Sequence, residues 1–235
     1  MHGHHPVAAA LANPGRPCYR LLATEAALPA VEAAARNRGL AVERVTGERL
    51  GQILPPGTPH QGLALSVGPL PERDLGELGQ SQRSLVLALD QVSDPRNLGA
   101  ILRTAAALGV EGVLLPRRRS AELNGACAKA ASGALDLLPL VEVINLARAL
   151  AELKERGYWI VGLDAAAPGT LEEIGLPPRV ALVLGSEGEG PRRLVAEGCD
   201  FRARLEIDPR VESLNVSVAA GIALYLLARR GQDGT

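Results

Sequence analysis

From residue 85 onward the chain alternates short, continuously apolar runs with longer helix-like segments. The runs 85–89, 112–115, 158–163 and 180–184 show no regular polar alternation. Strands buried on both faces of a parallel sheet have that character, whereas a strand with one wet face alternates. Residues 97–108, 121–131, 146–156 and 214–230 separate or follow these runs as helix candidates. In the first of them Leu98, Ile101, Leu102, Ala105 and Leu108 line one face. The pattern predicts an open α/β sheet with ligand sites at the carboxyl ends of its strands.

The first 68 residues read as a separate, smaller α/β unit. A short apolar helix over 7–11 ends at Asn13-Pro14-Gly15, a strong turn signal. Residues 18–23 alternate weakly as a strand. An Ala-rich helix is expected over 24–38, with Thr24 as its N-cap and Gly39 as its stop. Strands over 40–45 and 62–67 flank a short helix and Pro55-Pro56-Gly57. Residues 69–83, with Pro69, Pro71 and several Gly, Ser and Gln, have linker composition.

Composition narrows the class without deciding it. The chain has 235 residues, 47% of them hydrophobic and 22% charged, as in ordinary globular proteins. No apolar run approaches the roughly 20 residues that span a bilayer, and the first residues lack a signal-peptide pattern. Cys18, Cys127 and Cys199 are odd in number, widely spaced and without a CxxC pair, which points to reduced thiols in a cytoplasmic protein. The net charge of −1 does not advertise a nucleic-acid binder. Only Lys129 and Lys154 are lysines, the other basic side chains being arginines. High-GC codon usage and bidentate phosphate contacts at Arg117-Arg118-Arg119 and Arg192-Arg193 both account for that bias.

Three loops at strand or helix ends carry the candidate chemistry. In the first, Asp94-Pro95 reads as N-cap and first helical residue, while Asn97 is either a further cap or a ligand contact. Arg103 follows six residues later on the same helix. The second loop, Gly185-Ser186-Glu187-Gly188-Glu189-Gly190, lets backbone approach a ligand closely. It is neither a phosphate-gripping P-loop nor a dinucleotide fingerprint, and Glu187 with Glu189 would repel a pyrophosphate. A positively charged, adenosine-bearing cofactor suits it better. The third loop, Ser213-Leu214-Asn215-Val216-Ser217, opens an otherwise apolar helix, with Ser213 the expected N-cap. The four histidines lie in the first unit, no metal-ligand spacing is present, and no GxSxG elbow appears, so metal and triad-hydrolase chemistries are not expected.

Taken together, LDQVSDPRNLGAILRTAAALGV, LVLGSEGEG and VESLNVSVAAGIALYLL closely resemble the three motifs of the SpoU/TrmH RNA ribose 2′-O-methyltransferases of the SPOUT superfamily. The match is ordered over about 150 residues of this chain. The first unit, through Gly3-His4-His5-Pro6-Val7 and His60-Gln61-Gly62, is similar to the L30e-like RNA-binding domain found before the catalytic domain in bacterial 23S rRNA guanosine methyltransferases. The resemblance implies an L30e-like substrate-binding domain over 1–68, a linker over 69–83, and a catalytic domain over 84–235 whose parallel sheet is tied in a trefoil knot. It implies a homodimer using S-adenosylmethionine, with RNA as partner and neither metal nor membrane involved.

By motif, Asn97, Arg103, Glu187, Ser213 and Asn215 would be the active-site residues, and Leu184, Gly185, Leu205, Ile207 and Leu214 would line the cofactor pocket. The family implies a guanosine in 23S rRNA as substrate, with tRNA and a non-catalytic role in ribosome assembly as alternatives. Arg103 is expected to act as a clamp rather than a base, because a guanidinium stays protonated in proteins. This chain departs from relatives at Leu205-Glu206-Ile207-Asp208-Pro209, where they usually carry an Ile-Pro-Met-x-Gly-like run.

Overall fold

The computed structural model describes residues 1–118, 120–175, 177–186 and 190–229, which form two sheets. In the first unit α1 (His4–Ala12) precedes β1 (Cys18–Ala23), α2 (Glu32–Asn37), β2 (Val42–Arg44), α3 (Gly47–Ile53) and β3 (Leu63–Val67). The sheet order is β2-β1-β3, with β2 parallel and β3 antiparallel to β1. Val7 and Leu11 of α1 pack with Leu21, Leu63 and Leu65 into one core.

One continuous helix over 24–38 does not form. A 3-10 turn, Leu28–Ala30, precedes α2, with Pro29 inside it and Val31 at φ −127° between the two. Proline brings no N–H to a helical ladder and clashes with the preceding turn, so the Ala-rich run divides there. Thr24 starts the turn through its carbonyl, which accepts from the N–H groups of Ala27 and Leu28. Gly39 does close the segment, at φ +63°.

The second sheet is parallel throughout: β4 (Ser84–Leu89), β5 (Gly112–Pro116), β6 (Leu140–Val143), β7 (Trp159–Leu163), β8 (Arg179–Leu184) and β9 (Phe201–Ala203), in the order β6-β5-β4-β8-β7-β9. Both faces are covered, as the unbroken apolar runs require. On one face Leu87, Leu89, Leu182 and Leu184 pack against α4 (Pro95–Ala107), α5 (Gly125–Ala131) and α8 (Val216–Arg229). On the other Val86, Ala88, Ala181 and Val183 pack against α6 (Leu146–Glu155) and α7 (Arg193–Glu197). Fully burying each such leucine or valine stabilises the fold by about 1.5–3 kcal/mol.

The short strands β6 and β9 and the helix α7 had no counterpart in the sequence pattern. The helix expected over 121–131 starts later, because Asn124 Oδ1 accepts from the N–H groups of Ala126 and Cys127 and caps α5 at that point. The expected end of the last helix, Arg230, lies outside the described residues.

Residues 69–83 are not a free tether. A 3-10 turn, Leu75–Glu77, buries Leu75 and Leu78 in the core beneath the second sheet. Arg156, just after α6, donates to the carbonyls of Leu75, Gly76 and Leu78. The two units also touch directly. A Cβ on Gly133 would lie 3.0 Å from Ala9 Cβ, and Asn13 Nδ2 donates to Asp136 Oδ1 at 3.1 Å.

Candidate functional site at the carboxyl ends of the parallel strands

Three loops leave the same edge of the parallel sheet, and each is shaped by local capping chemistry. After β4, Asp94 accepts the Arg96 backbone N–H at 2.8 Å and Pro95 occupies the first helical position, which fixes the entry of α4. The Arg96 guanidinium and N–H hold the Asp94 carboxyl below the usual carboxylate range. Asn97 is not a second cap. It is half-buried in the first turn of α4, and its Oδ1 accepts from Asn215 Nδ2 at 3.2 Å, 118 residues away.

After β8, the glycine loop folds back on itself. Ser186 accepts from the Gly190 N–H at 3.1 Å, and a Cβ on Gly185 would fall 1.8 Å from the Gly190 carbonyl carbon. Only glycine allows that approach, and Gly190 itself sits at φ +69°. The Ser186 hydroxyl oxygen is buried and has no hydrogen-bond partner among the described residues. Glu187, Gly188 and Glu189 lie outside the described residues, so the expectation placed on Glu187 does too.

The third loop runs from Leu205 into α8. Its departure from relatives resolves into a turn, in which the Val211 N–H reaches the Asp208 carbonyl at 2.9 Å with Pro209 second in the turn. Proline favours that position because its φ is already set. Asp208 accepts the backbone N–H and the guanidinium of Arg210, which lowers its carboxyl from the ordinary range. Ser213 is exposed and does not cap the helix, contrary to expectation. Asn215 does so instead, its Oδ1 accepting from the Ser217 N–H at 2.9 Å and the Ser217 hydroxyl at 2.6 Å. Position 213 lies two residues before the N-cap position, 215, of a helix that starts at Val216, too far to reach those donors.

The second and third loops and the end of β7 enclose a cleft of about 190 Å³, far more than the ~10–15 Å³ one ordered water needs. Leu163, Leu184, Leu205, Ile207, Leu214 and Val216 supply apolar walls, Gly185 a backbone edge, and Asp164, Ser186, Glu212 and Ser213 the polar groups. All five residues expected at the cofactor pocket therefore line one cavity. The Asn97–Asn215 bridge stands beside it, since Leu214 and Val216 flank Asn215. Arg103 is exposed, six residues and about 9 Å along α4 from Asn97, and is not among the residues lining the cleft. Among the described residues its guanidinium has no hydrogen bond or ion pair.

The sequence patterns missed Asp164, which follows β7. Its Oδ1 accepts from the Ala166 N–H at 2.9 Å and its Oδ2 from Arg202 at 3.3 Å. A strand end at 163 was itself the signal, because ligands of such sheets gather beyond the strands' carboxyl ends. Asp90 was also missed. It is fully buried directly after β4 and bound by Arg192.

The fold and cleft together define a parallel α/β protein with a largely apolar cleft at the sheet's carboxyl edge. Residues 84–225 match the SpoU rRNA Methylase family model, and residues 2–73 match that for RNA 2′-O ribose methyltransferase substrate binding. The chain belongs to the SpoU rRNA methylase family. It is 44% identical over 205 residues to the 23S rRNA (guanosine-2′-O-)-methyltransferase RlmB of Xylella fastidiosa (strain 9a5c), covering 85% of this chain and 82% of that one. The Pseudomonas aeruginosa protein of the same name is 48% identical over 176 residues, 73% of this chain and 71% of its own. Among solved structures, the SpoU methyltransferase AviRb of Streptomyces viridochromogenes, in complex with AdoMet, aligns with a TM-score of 0.85 at 22% identity. That alignment covers 100% of this chain and 90% of the other.

Proposed function

We propose that this chain transfers the methyl group of S-adenosylmethionine to a ribose 2′-hydroxyl of RNA, at a guanosine of 23S ribosomal RNA. The observation that carries the proposal is the cleft itself: an apolar pocket at the ends of β7 and β8, closed by the loop that leads into α8, directly beside the Asn97–Asn215 bridge. Its residues fit S-adenosylmethionine. Leucine and isoleucine walls suit an adenine ring, and the buried Ser186 hydroxyl, without a partner among the described residues, offers a hydrogen bond. The nearby Asp164 and Glu212 carboxylates favour a cation over a pyrophosphate.

When bound, the cofactor supplies an electrophilic methyl group. Leu184, Leu205, Ile207, Leu214 and the Gly185 backbone would hold it, with Asn97, Ser213 and Asn215 on the reacting side and Glu187 assigned to the same task by its motif alone. Arg103, free of protein partners among the described residues, grips the phosphate beside the target ribose and stabilises the oxygen as it gains negative charge. Fixing the ribose beside the cofactor site in this way would lower the barrier by several kcal/mol.

Residues 1–68 form the RNA-selecting domain, of L30e-like fold, 69–83 connect it, and 84–235 form the catalytic domain, with a trefoil knot as in its family. A homodimer is supported by α8, where Val218, Ile222 and Tyr225 are exposed at helical spacing along one side. A ribosomal substrate and three free thiols favour the cytoplasm.

Incubation of the purified protein with methyl-labelled S-adenosylmethionine and either 23S rRNA or tRNA tests the reading. Label is expected at one guanosine 2′-O of 23S rRNA. Label in tRNA alone, or no transfer to either, would refute it.

A further inference from the structure

We propose that Asp90 and Arg192 are positioning residues that clasp the glycine loop shut and so shape the cleft for its ligand. The inference rests on the reading of this cleft as the S-adenosylmethionine site. Asp90 is the first residue past β4, and its N–H extends the sheet by one bond, to the Leu184 carbonyl at 2.7 Å. That places its carboxylate between the end of β4 and the point where the glycine loop returns. Arg192, two residues after Gly190, donates to it three ways: the backbone N–H at 2.8 Å, Nε at 2.8 Å, and Nη2 at 2.6 Å. The neck of the loop is thus closed twice, by the Gly185–Gly190 contact and by this pair.

The chemistry argues for more than packing. The Asp90 side chain is wholly buried, while that of Arg192 is 37% exposed. Burying a carboxylate is costly, and an apolar pair of similar size stabilises a core as well or better. What an apolar pair lacks is direction, and three donors on one carboxylate fix both the backbone and the side chain of residue 192. The same carboxylate stands at the root of the turn that leads to Asn97. One charged contact therefore sets the cofactor-side loop against the loop that carries the Asn97–Asn215 bridge.

Arg192→Gln tests this, because it removes the cation and leaves Asp90 the backbone N–H and solvent. Calorimetry with S-adenosylmethionine is expected to show Kd raised about tenfold. The cofactor KM should rise in parallel, with kcat at saturating cofactor within twofold of the wild type and RNA affinity unchanged. Arg192→Lys should recover part of the loss. Independently of any ligand, hydrogen exchange at the Gly185, Ser186 and Gly190 amides should quicken at least tenfold in Arg192→Gln, with exchange in the β4 and β8 cores unaltered. A merely structural contact would lower the melting temperature without that KM-against-kcat split or local exchange. Unchanged loop exchange in a folded variant overturns the proposal, as does an unchanged Kd or a loss confined to kcat. If the wild type binds no S-adenosylmethionine, the functional reading fails, and the exchange measurement still decides the clasp.

Discussion

Asn215→Ser separates two tasks that a single amide performs. Oδ1 caps α8, and Nδ2 bridges to Asn97 at 3.2 Å. Serine ranks with asparagine as an N-cap, whereas alanine forfeits about 1 kcal/mol. Both replacements lose the bridge. Because Asn215 is exposed and Asn97 only half-buried, that neutral bond contributes at the low end of the usual range, about 0.5 kcal/mol. Asn215→Ser should therefore cost about 0.5 kcal/mol and Asn215→Ala about 1.5 kcal/mol. In a chain of 235 residues these correspond to falls in Tm of about 1–2 °C and 3–6 °C. Activity should not follow that order. If the bridge holds the reacting face in register, both variants lose about 10²-fold in kcat/KM, the penalty typical of a misplacement near 1 Å. Scanning calorimetry and a labelled-methyl transfer assay measure the two quantities. A serine variant within threefold of wild-type activity, beside a crippled alanine variant, would refute the argument and reduce Asn215 to a cap.

Arg103→Ala should lower kcat by about 10²–10³-fold and leave the Kd for S-adenosylmethionine unchanged, as loss of a preorganised charge does; lost cofactor binding with normal turnover at saturation would refute it. Gly185→Ala places a Cβ 1.8 Å from the Gly190 carbonyl carbon, so the loop neck must open. Calorimetry should then find cofactor binding weakened at least tenfold, and binding within twofold would contradict the close contact. Burial pushes the Cys127 and Cys199 thiols up to about 11. Both should resist alkylation in the folded protein at pH 8 and react on unfolding. Their protonated forms are favoured by folding, so stability is complete below the ordinary thiol pKa near 8.5 and declines as pH rises toward 11. Urea titrations at pH 8 and 10.5 should show a lower midpoint at the higher pH, and equal midpoints would refute this.

Four of the parallel strands were legible because 85–89, 112–115, 158–163 and 180–184 are apolar without interruption, the mark of burial on two faces. β6 and β9 were not, since four and three residues that mix Glu142 or Arg202 with apolar neighbours carry no period. Pro29 was hidden by the alanines around it. Within the site, Leu184, Gly185, Leu205, Ile207 and Leu214 could be named from motif resemblance, yet the choice of Asn215 over Ser213 as cap needed the actual start of α8. Asp90 passed as one letter of the first motif, because nothing in a linear chain reveals a partner at residue 192.

The strand order has a consequence for synthesis. The middle of the large sheet, β8 beside β4, joins Ser84 to Arg179 and Leu89 to Leu184, partners 95 residues apart. As the polypeptide leaves the ribosome, β4, β5 and β6 can assemble early, but β7 has no neighbour until the 180s emerge. Until then two greasy flanks wait unpaired, the condition in which nascent chains stick to one another. Such long-range closure also makes folding slow, so the last quarter of the message governs when this protein becomes whole.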